Sequence, residues 1–199
     1  MPAPELQTPR LVLRHWLPED RKPFAVMNAD PEVMKYFPSV LSSDQSDLFA
    51  ETIQMGLEER DFGLWALQLR EGEEDEGPFV GFVGLSAPLW TATFTPCVEI
   101  GWRLHRDHWG MGYATEAATR VLDYSFTRLD LGEVVSFASV MNLRSIAVMQ
   151  RLGMHRDLEE DFVHPLVDAS DRLSRHALYR MTKRVWTSSN RTQISPAGA

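Results

Sequence analysis

Apolar residues recur along this chain in two rhythms, and the points where one gives way to the other outline its elements. Leu11, Val12 and Leu13 ahead of Arg14 give a first strand over residues 10–15. Pro18-Glu19-Asp20 then opens a helix carrying Phe24, Ala25, Met27 and Asn28, because proline is tolerated in a first helical turn. Asp30-Pro31 predicts a restart, with Asp30 as N-cap of a short helix reaching Lys35. Ser42-Ser43-Asp44 caps a longer helix to about Arg60, in which Leu48, Phe49, Ile53 and Leu57 repeat at helical spacing. Strands follow at 62–69 and 79–87, joined by an acidic, glycine-containing loop at 71–77 that reads as a solvated hairpin end.

A segment at 89–96 leads into a strand at 98–104. Beyond it the pattern predicts a helix over 114–127, a strand over 134–141 and a helix over 142–152. Final strands at 154–157 and 175–183 flank an irregular loop at 159–173. Thr187 to Ala199 is polar and aperiodic, which predicts a frayed tail behind one domain spanning 1–186. No segment repeats another. Helices first, then strands mixed with helices, make an α/β domain around a mostly antiparallel twisted sheet.

Composition narrows the function classes. The 199 residues, 44% hydrophobic and 24% charged, suit one globular domain with a sizeable core. A formal net charge of -8 disfavours a sequence-independent grip on nucleic acid and suits a cationic acceptor, although solubility accounts for it equally well. The lone Cys97 rules out an internal disulfide framework and fits a cytoplasmic protein. No apolar run approaches the ~20 residues of a membrane span, and the first residues lack the apolar core of a secretory signal. The histidines at 15, 105, 108, 155, 164 and 176 show no metal-ligand spacing, so no metal is expected.

The most informative stretch runs from Glu99 to Ala117. A strand enters a Gly-x-Gly turn at Gly110 and Gly112, and a helix follows. Glycines let the backbone turn tightly, and the first helical amides, at the positive end of the dipole, form a backbone site for phosphate. Taken alone, such a turn also suits an ordinary strand-to-helix connection. No Gly-x-x-x-x-Gly-Lys-Ser/Thr loop accompanies it, which argues against a nucleotide-binding protein of that type.

With its flanks, this segment resembles the pyrophosphate-binding motif of the GNAT superfamily of acetyl-coenzyme A-dependent N-acetyltransferases. The match comprises Glu99-Ile100-Gly101 on the strand, Trp109-Gly110-Met111-Gly112-Tyr113-Ala114 at the turn, and Thr115-Glu116-Ala117 opening the helix. Further blocks agree: Thr8-Pro9-Arg10 through Arg14, Asp30-Pro31 through Met34, and Asn142 through Ser145 followed by Met149 through Met154. They resemble the branch containing the ribosomal-protein N-terminal acetyltransferases. The likeness covers roughly residues 6 to 186. It implies a single GNAT-like domain whose fourth and fifth strands, here 98–104 and 134–141, splay apart to admit acetyl-coenzyme A.

By this resemblance, amides from about His108 through Trp109, Gly110, Met111 and Gly112 to Tyr113 hold the pyrophosphate. The family's Gln or Arg at the first motif position is Asp107 here, a loss that Arg103 or Arg106 would offset. Trp102, Arg103 and Leu104 offer an open strand edge to the pantetheine arm. Asn142 binds the arm or N-caps the next helix, and Ser145 presents a hydroxyl towards it. Arg144 is a further candidate for phosphate.

Acetylating an amine requires removing a proton: a Lys amine near pKa ~10.4 is neutral only about 0.04% of the time at pH 7, an α-amine near ~8 roughly 10%. Glu99 is the candidate base, with anchoring of the ammonium and a structural salt bridge as its competing roles. An amide near Gly101 to Arg103 would receive the thioester oxygen. The tyrosine that protonates the departing thiolate in many relatives is Met149 here, so Ser145 or water takes that place. Phe37, Trp65, Trp90 and His164 are the candidate lining of the acceptor site. The reading is an enzyme acting on a small amine or a protein N-terminus, as a monomer or homodimer, with no nucleic acid or membrane partner. The alternative is a non-catalytic acyl-coenzyme A-binding sensor or scaffold module.

Overall fold

The computed structural model describes residues 2–71 and 77–194. Its strands are β1 (Leu6–Gln7), β2 (Leu11–Arg14), β3 (Leu64–Leu69), β4 (Phe79–Ser86), β5 (Glu99–Leu104), β6 (Glu133–Ser139), β7 (His155–Arg156), β8 (Phe162–Val163) and β9 (Arg175–Thr182). The helices are α1 (Arg21–Ala29), α2 (Ser43–Glu59), α3 (Tyr113–Thr127), α4 (Leu143–Arg151) and α5 (Lys183–Ile194). The strands form one sheet in the order β1-β2-β3-β4-β5-β6-β9-β7, with β8 also on β9. Neighbours are antiparallel except β5 and β6, which are parallel. This is the expected α/β architecture, with one short strand more at the N-terminal edge, so the two splayed strands are β5 and β6.

Alternation sorts the sheet into two faces. Trp65, Val83 and Ile100, all fully buried, point to the face covered by α3, which supplies Ala117, Ala118, Val121 and Leu122. Phe82 and its neighbours point to the other face, where Phe24 of α1 and Phe49 of α2 meet it at ring separations of 6.1 Å. Ser42 caps α2 through a reciprocal pair with Gln45.

Four expectations change. Residues 31–35 form turns, not a helix: the Asp30 carboxylate accepts from the Glu32 amide at 2.8 Å, a local turn that competes with helix. Leu48 is exposed and Ser46 is buried in its stead, because Ser46 accepts a hydrogen bond from Asn28 at 2.8 Å. The irregular loop at 159–173 contains the short strand β8 on β9. Helix α5 runs through Ile194 where a frayed tail was predicted; Trp186 anchors its start, its ring 6.0 Å from Phe126. Within the acidic loop, 72–76 lie outside the described residues, as do 195–199 of the predicted tail.

Candidate active site

Gly110 and Gly112 shape the turn ahead of α3, with φ of +78° and +82°. In that left-handed region a side chain costs roughly 1–2 kcal/mol. A Cβ on Gly110 would meet nothing within 4 Å, so conformation and not crowding requires glycine there. The first helical bond runs from the Glu116 amide to the Gly112 carbonyl at 3.0 Å. The amides of Tyr113, Ala114 and Thr115 therefore have no intrahelical acceptor and suit an anion. His108 and Trp109 differ from expectation. Their amides already donate to His105 and Arg106 carbonyls, at 3.0 and 3.1 Å, inside a short 3-10 turn. Among the described residues, the amides without an acceptor thus begin at Gly110 and extend to Thr115.

Arg10 ties this turn down from 101 residues away in sequence: it donates to the Met111 carbonyl at 3.0 Å and to Glu116 at 2.7 Å, with its guanidinium 4.7 Å from the Tyr113 ring. Burial alone would raise the Glu116 pKa, but hydrogen bonds from Thr8 and Arg10 and the Arg10 charge hold it below normal. Arg144 reaches the same region, 4.4 Å above the Trp109 ring, while Trp109 donates to the Leu104 carbonyl at 2.9 Å. The arginines thought to offset Asp107 are engaged elsewhere. Arg106 lies 3.6 Å from Asp30, and Arg103 donates to Asn28 at 2.6 Å.

The sheet opens beside this turn. β5 and β6 share a single rung, Glu99 opposite Val135, with the Val135 amide donating to the Val98 carbonyl at 2.9 Å. On their outer sides, by contrast, β5 pairs with β4 over six residues and β6 with β9 over seven. Since Val98 faces β6, alternation turns the main-chain groups of Ile100, Trp102 and Leu104 the same way. Past the rung, those of Trp102 border a gap in which no strand among the described residues pairs them. At the end of β6, Asn142 caps α4 by accepting from the Ser145 amide at 3.2 Å, leaving its own NH2 group for another partner. Met149 is fully buried in the core.

Glu99 stands at the rung, on the α1–α2 face. It is partly buried, and this desolvation lifts its pKa from 4.5 to about 8, while a hydrogen bond from Ser86 Oγ at 3.2 Å restrains the rise. Burial and the nearby Glu99 also push up the Cys97 thiol, against a smaller opposing pull from Arg180. Four residues beyond Glu99 on the same face of β5, the Arg103 guanidinium enters a cage of Phe37, Phe49 and Phe82 at 4.2, 5.7 and 5.4 Å.

Residues 10–155 match the family model described as an acetyltransferase (GNAT) domain. The chain belongs to the GNAT acetyltransferase family. A curated relative, the "Uncharacterized N-acetyltransferase p20" of Bacillus licheniformis, is 31% identical over 163 residues, or 78% of this chain and 87% of that protein. Among solved structures, a GNAT-family acetyltransferase from Bacillus anthracis superposes with a TM-score of 0.73 at 22% identity, over 91% of this chain and 99% of the other. The spermidine N-acetyltransferase of Vibrio cholerae, solved with CoA and spermine, gives 0.68 at 17% identity over 90% and 99%. At such identities the structural likeness concerns the fold.

In this GNAT chain the expected acceptor residues part company. Phe37 roofs Arg103, and Trp90 and His164 meet at 4.9 Å, inside a cluster with Phe94, Phe137 and Phe162. Phe137 shares the Glu99 face, being two residues from Val135. Trp65 does not belong: it is fully buried on the α3 face, donating to the Pro4 carbonyl at 2.9 Å and packing on Tyr124 at 5.9 Å. Asp161, three residues before His164, accepts from Arg156. His164 accepts from the Leu166 amide at 3.2 Å and lies 4.8 Å from His176. Ser86, Arg10, Phe137 and His176 escaped the sequence reading. Only Arg10 left a trace there, within the matching Thr8-Pro9-Arg10 block.

Proposed function

We propose that this GNAT enzyme moves acetyl from acetyl-coenzyme A to a primary amine by direct attack, with Glu99 as proton acceptor. Glu99 carries the reading: a carboxyl poised near pKa 8 at the last rung before the strands part. A general base works best when its pKa lies near the working pH, and an arriving ammonium would favour its ionised form. In the step itself, the ammonium proton passes to Glu99, directly or through water. The freed nitrogen attacks the thioester carbon, and the oxyanion is received by the Trp102 amide at the gap. The C–S bond then breaks as the C–N bond is completed. The thiol is acidic enough to leave as thiolate or to take a proton from water or Ser145; buried Met149 has none to give.

The diphosphate rests on the amides of 110–115, with Arg144 at hand, and the pantetheine arm lies along Trp102 and towards Asn142. The acceptor is a small amine or a peptide N-terminus, the latter favoured by the resemblance to the ribosomal-protein branch. The cytoplasm, with acetyl-coenzyme A in supply, is the place for this chemistry. Thiol release from acetyl-coenzyme A across a panel of amines tests the proposal. Turnover that collapses in Glu99→Gln with coenzyme A affinity intact supports it. Tight cofactor binding with no turnover on any amine overturns it in favour of a sensor module.

A further inference from the structure

Arg103 holds a charge that no carboxylate among the described residues balances. Its guanidinium donates to the Asn28 amide oxygen, and its Nε is buried without a hydrogen-bond partner among the described residues. No acidic side chain is paired with it there. Arg14, Arg156 and Arg180 are also largely withdrawn from water, yet each holds a carboxylate: Asp20, Asp161, and Glu133 with Glu160. Burial draws the Arg103 pKa down from 12.5 to about 10, the mark of a cation lacking its counter-charge.

The placement of this cation bears on the acceptor. Glu99, Gly101 and Arg103 project from one face of β5. Gly101 is the floor between the other two, and a Cβ built on it would find only Glu99 Oε1 within 4 Å, at 3.8 Å. Between the Glu99 carboxyl and the guanidinium this face of the strand therefore carries no side chain of its own, over four residues, roughly 13 Å, between their Cα atoms. Phe37, 38% exposed and set in a turn segment, covers the Arg103 end.

We propose that Arg103 receives a carboxylate of the acceptor, so that the enzyme acts on amines bearing an acid group several bonds from the reactive nitrogen. An incoming carboxylate supplies both the missing charge and a partner for the orphaned N–H, in the planar geometry arginine favours. A second ammonium in that place meets an unscreened like charge, so polyamines are selected against. This inference rests on the acetyl-transfer reading above and adds the chemical class of acceptor to it.

The experiment compares thiol release by the unmodified enzyme with hexylamine, 1,6-diaminohexane and a series of ω-amino carboxylates of four to eight carbons. The best amino carboxylate is expected to exceed hexylamine in kcat/KM at least tenfold and the diamine by more. In Arg103→Met the ratio of amino carboxylate to hexylamine collapses towards one, and Arg103→Lys restores part of it. If hexylamine or the diamine matches every amino carboxylate, the inference falls while the acetyl-transfer reading stands. Should Arg103→Met depress all amines equally, the cation has only a structural role, which also overturns it. Coenzyme A binding with no release from any amine overturns the proposed function and takes this inference with it.

Discussion

Ser86 Oγ donates to Glu99 Oε2 at 3.2 Å across the antiparallel pair of β4 and β5, and it opposes the burial that raises the Glu99 pKa. The sign of the pH dependence follows. As the proposed base, Glu99 works ionised, so kcat/KM is expected to rise as pH climbs through about 8, and the amine's own titration to add a further rise nearer ~10. Ser86→Ala removes a bond to the ionised form. Its inflection moves to higher pH, and the rate at neutral pH falls roughly 2- to 10-fold. In Glu99→Gln the lower inflection vanishes and turnover drops about 100-fold or more. Steady-state profiles of the three proteins decide this: an unchanged profile in Glu99→Gln places the base elsewhere.

Gly112→Ala tests the turn. With φ of +82°, an alanine there costs roughly 1–2 kcal/mol in the conformation that exposes the helix amides, or forces the turn to relax. Coenzyme A should bind about 5- to 30-fold more weakly by calorimetry. Dephosphorylated pantetheine, which makes no diphosphate contact, should be affected much less. Equal losses for both ligands would show that the amides of 110–115 do not hold the diphosphate.

Legibility in the sequence follows the range of the interactions concerned. Local chemistry could be read: the Ser42 cap of α2, the glycine turn before α3, and Asn142 at the head of α4 all lie within a few residues of their partners. The gap between β5 and β6 came from resemblance, since no local pattern says that two strands will share one rung. Ser86 opposite Glu99, Arg10 on Met111 and Asn28 beneath Arg103 are pairings of tertiary register and left no periodic signal. Trp65 misled for a related reason. An aromatic on a strand suits a ligand or a core equally well, and only the identity of the face above it separates the two.

His164 and His176 make the aromatic cluster acid-sensitive. Burial and the neighbouring His176 lower the His164 pKa from 6.5 to about 4, and burial lowers that of His176. Because these folded-state values lie below the unfolded ones, the stabilisation is complete above about 6.5. It is lost as pH falls towards 4, when two facing imidazoles 4.8 Å apart must charge among Trp90, Phe137 and Phe162. Hydrogen exchange should show residues 158–176 opening before α3 as pH drops through this window. His164→Phe should flatten that local dependence; an identical dependence in the variant would remove the histidine pair as its origin.

Trp65 and Trp90, both aromatics of the sequence-level acceptor site, should respond oppositely to replacement. Trp65 is fully enclosed on the α3 face, so Trp65→Phe leaves a cavity and an unpaired Pro4 carbonyl. A loss of about 2–4 kcal/mol in unfolding free energy is expected, with KM for the amine unchanged at a temperature where the variant is folded. Trp90 is only partly buried and belongs to the cluster on the Glu99 face, its ring 5.5 Å from Phe137. Trp90→Ala should cost less stability but raise the acceptor KM severalfold, leaving KM for acetyl-coenzyme A in place. Denaturant melts and two-substrate kinetics on both variants check the contrast. A KM effect from Trp65, or none from Trp90, would move the acceptor away from the α1–α2 face.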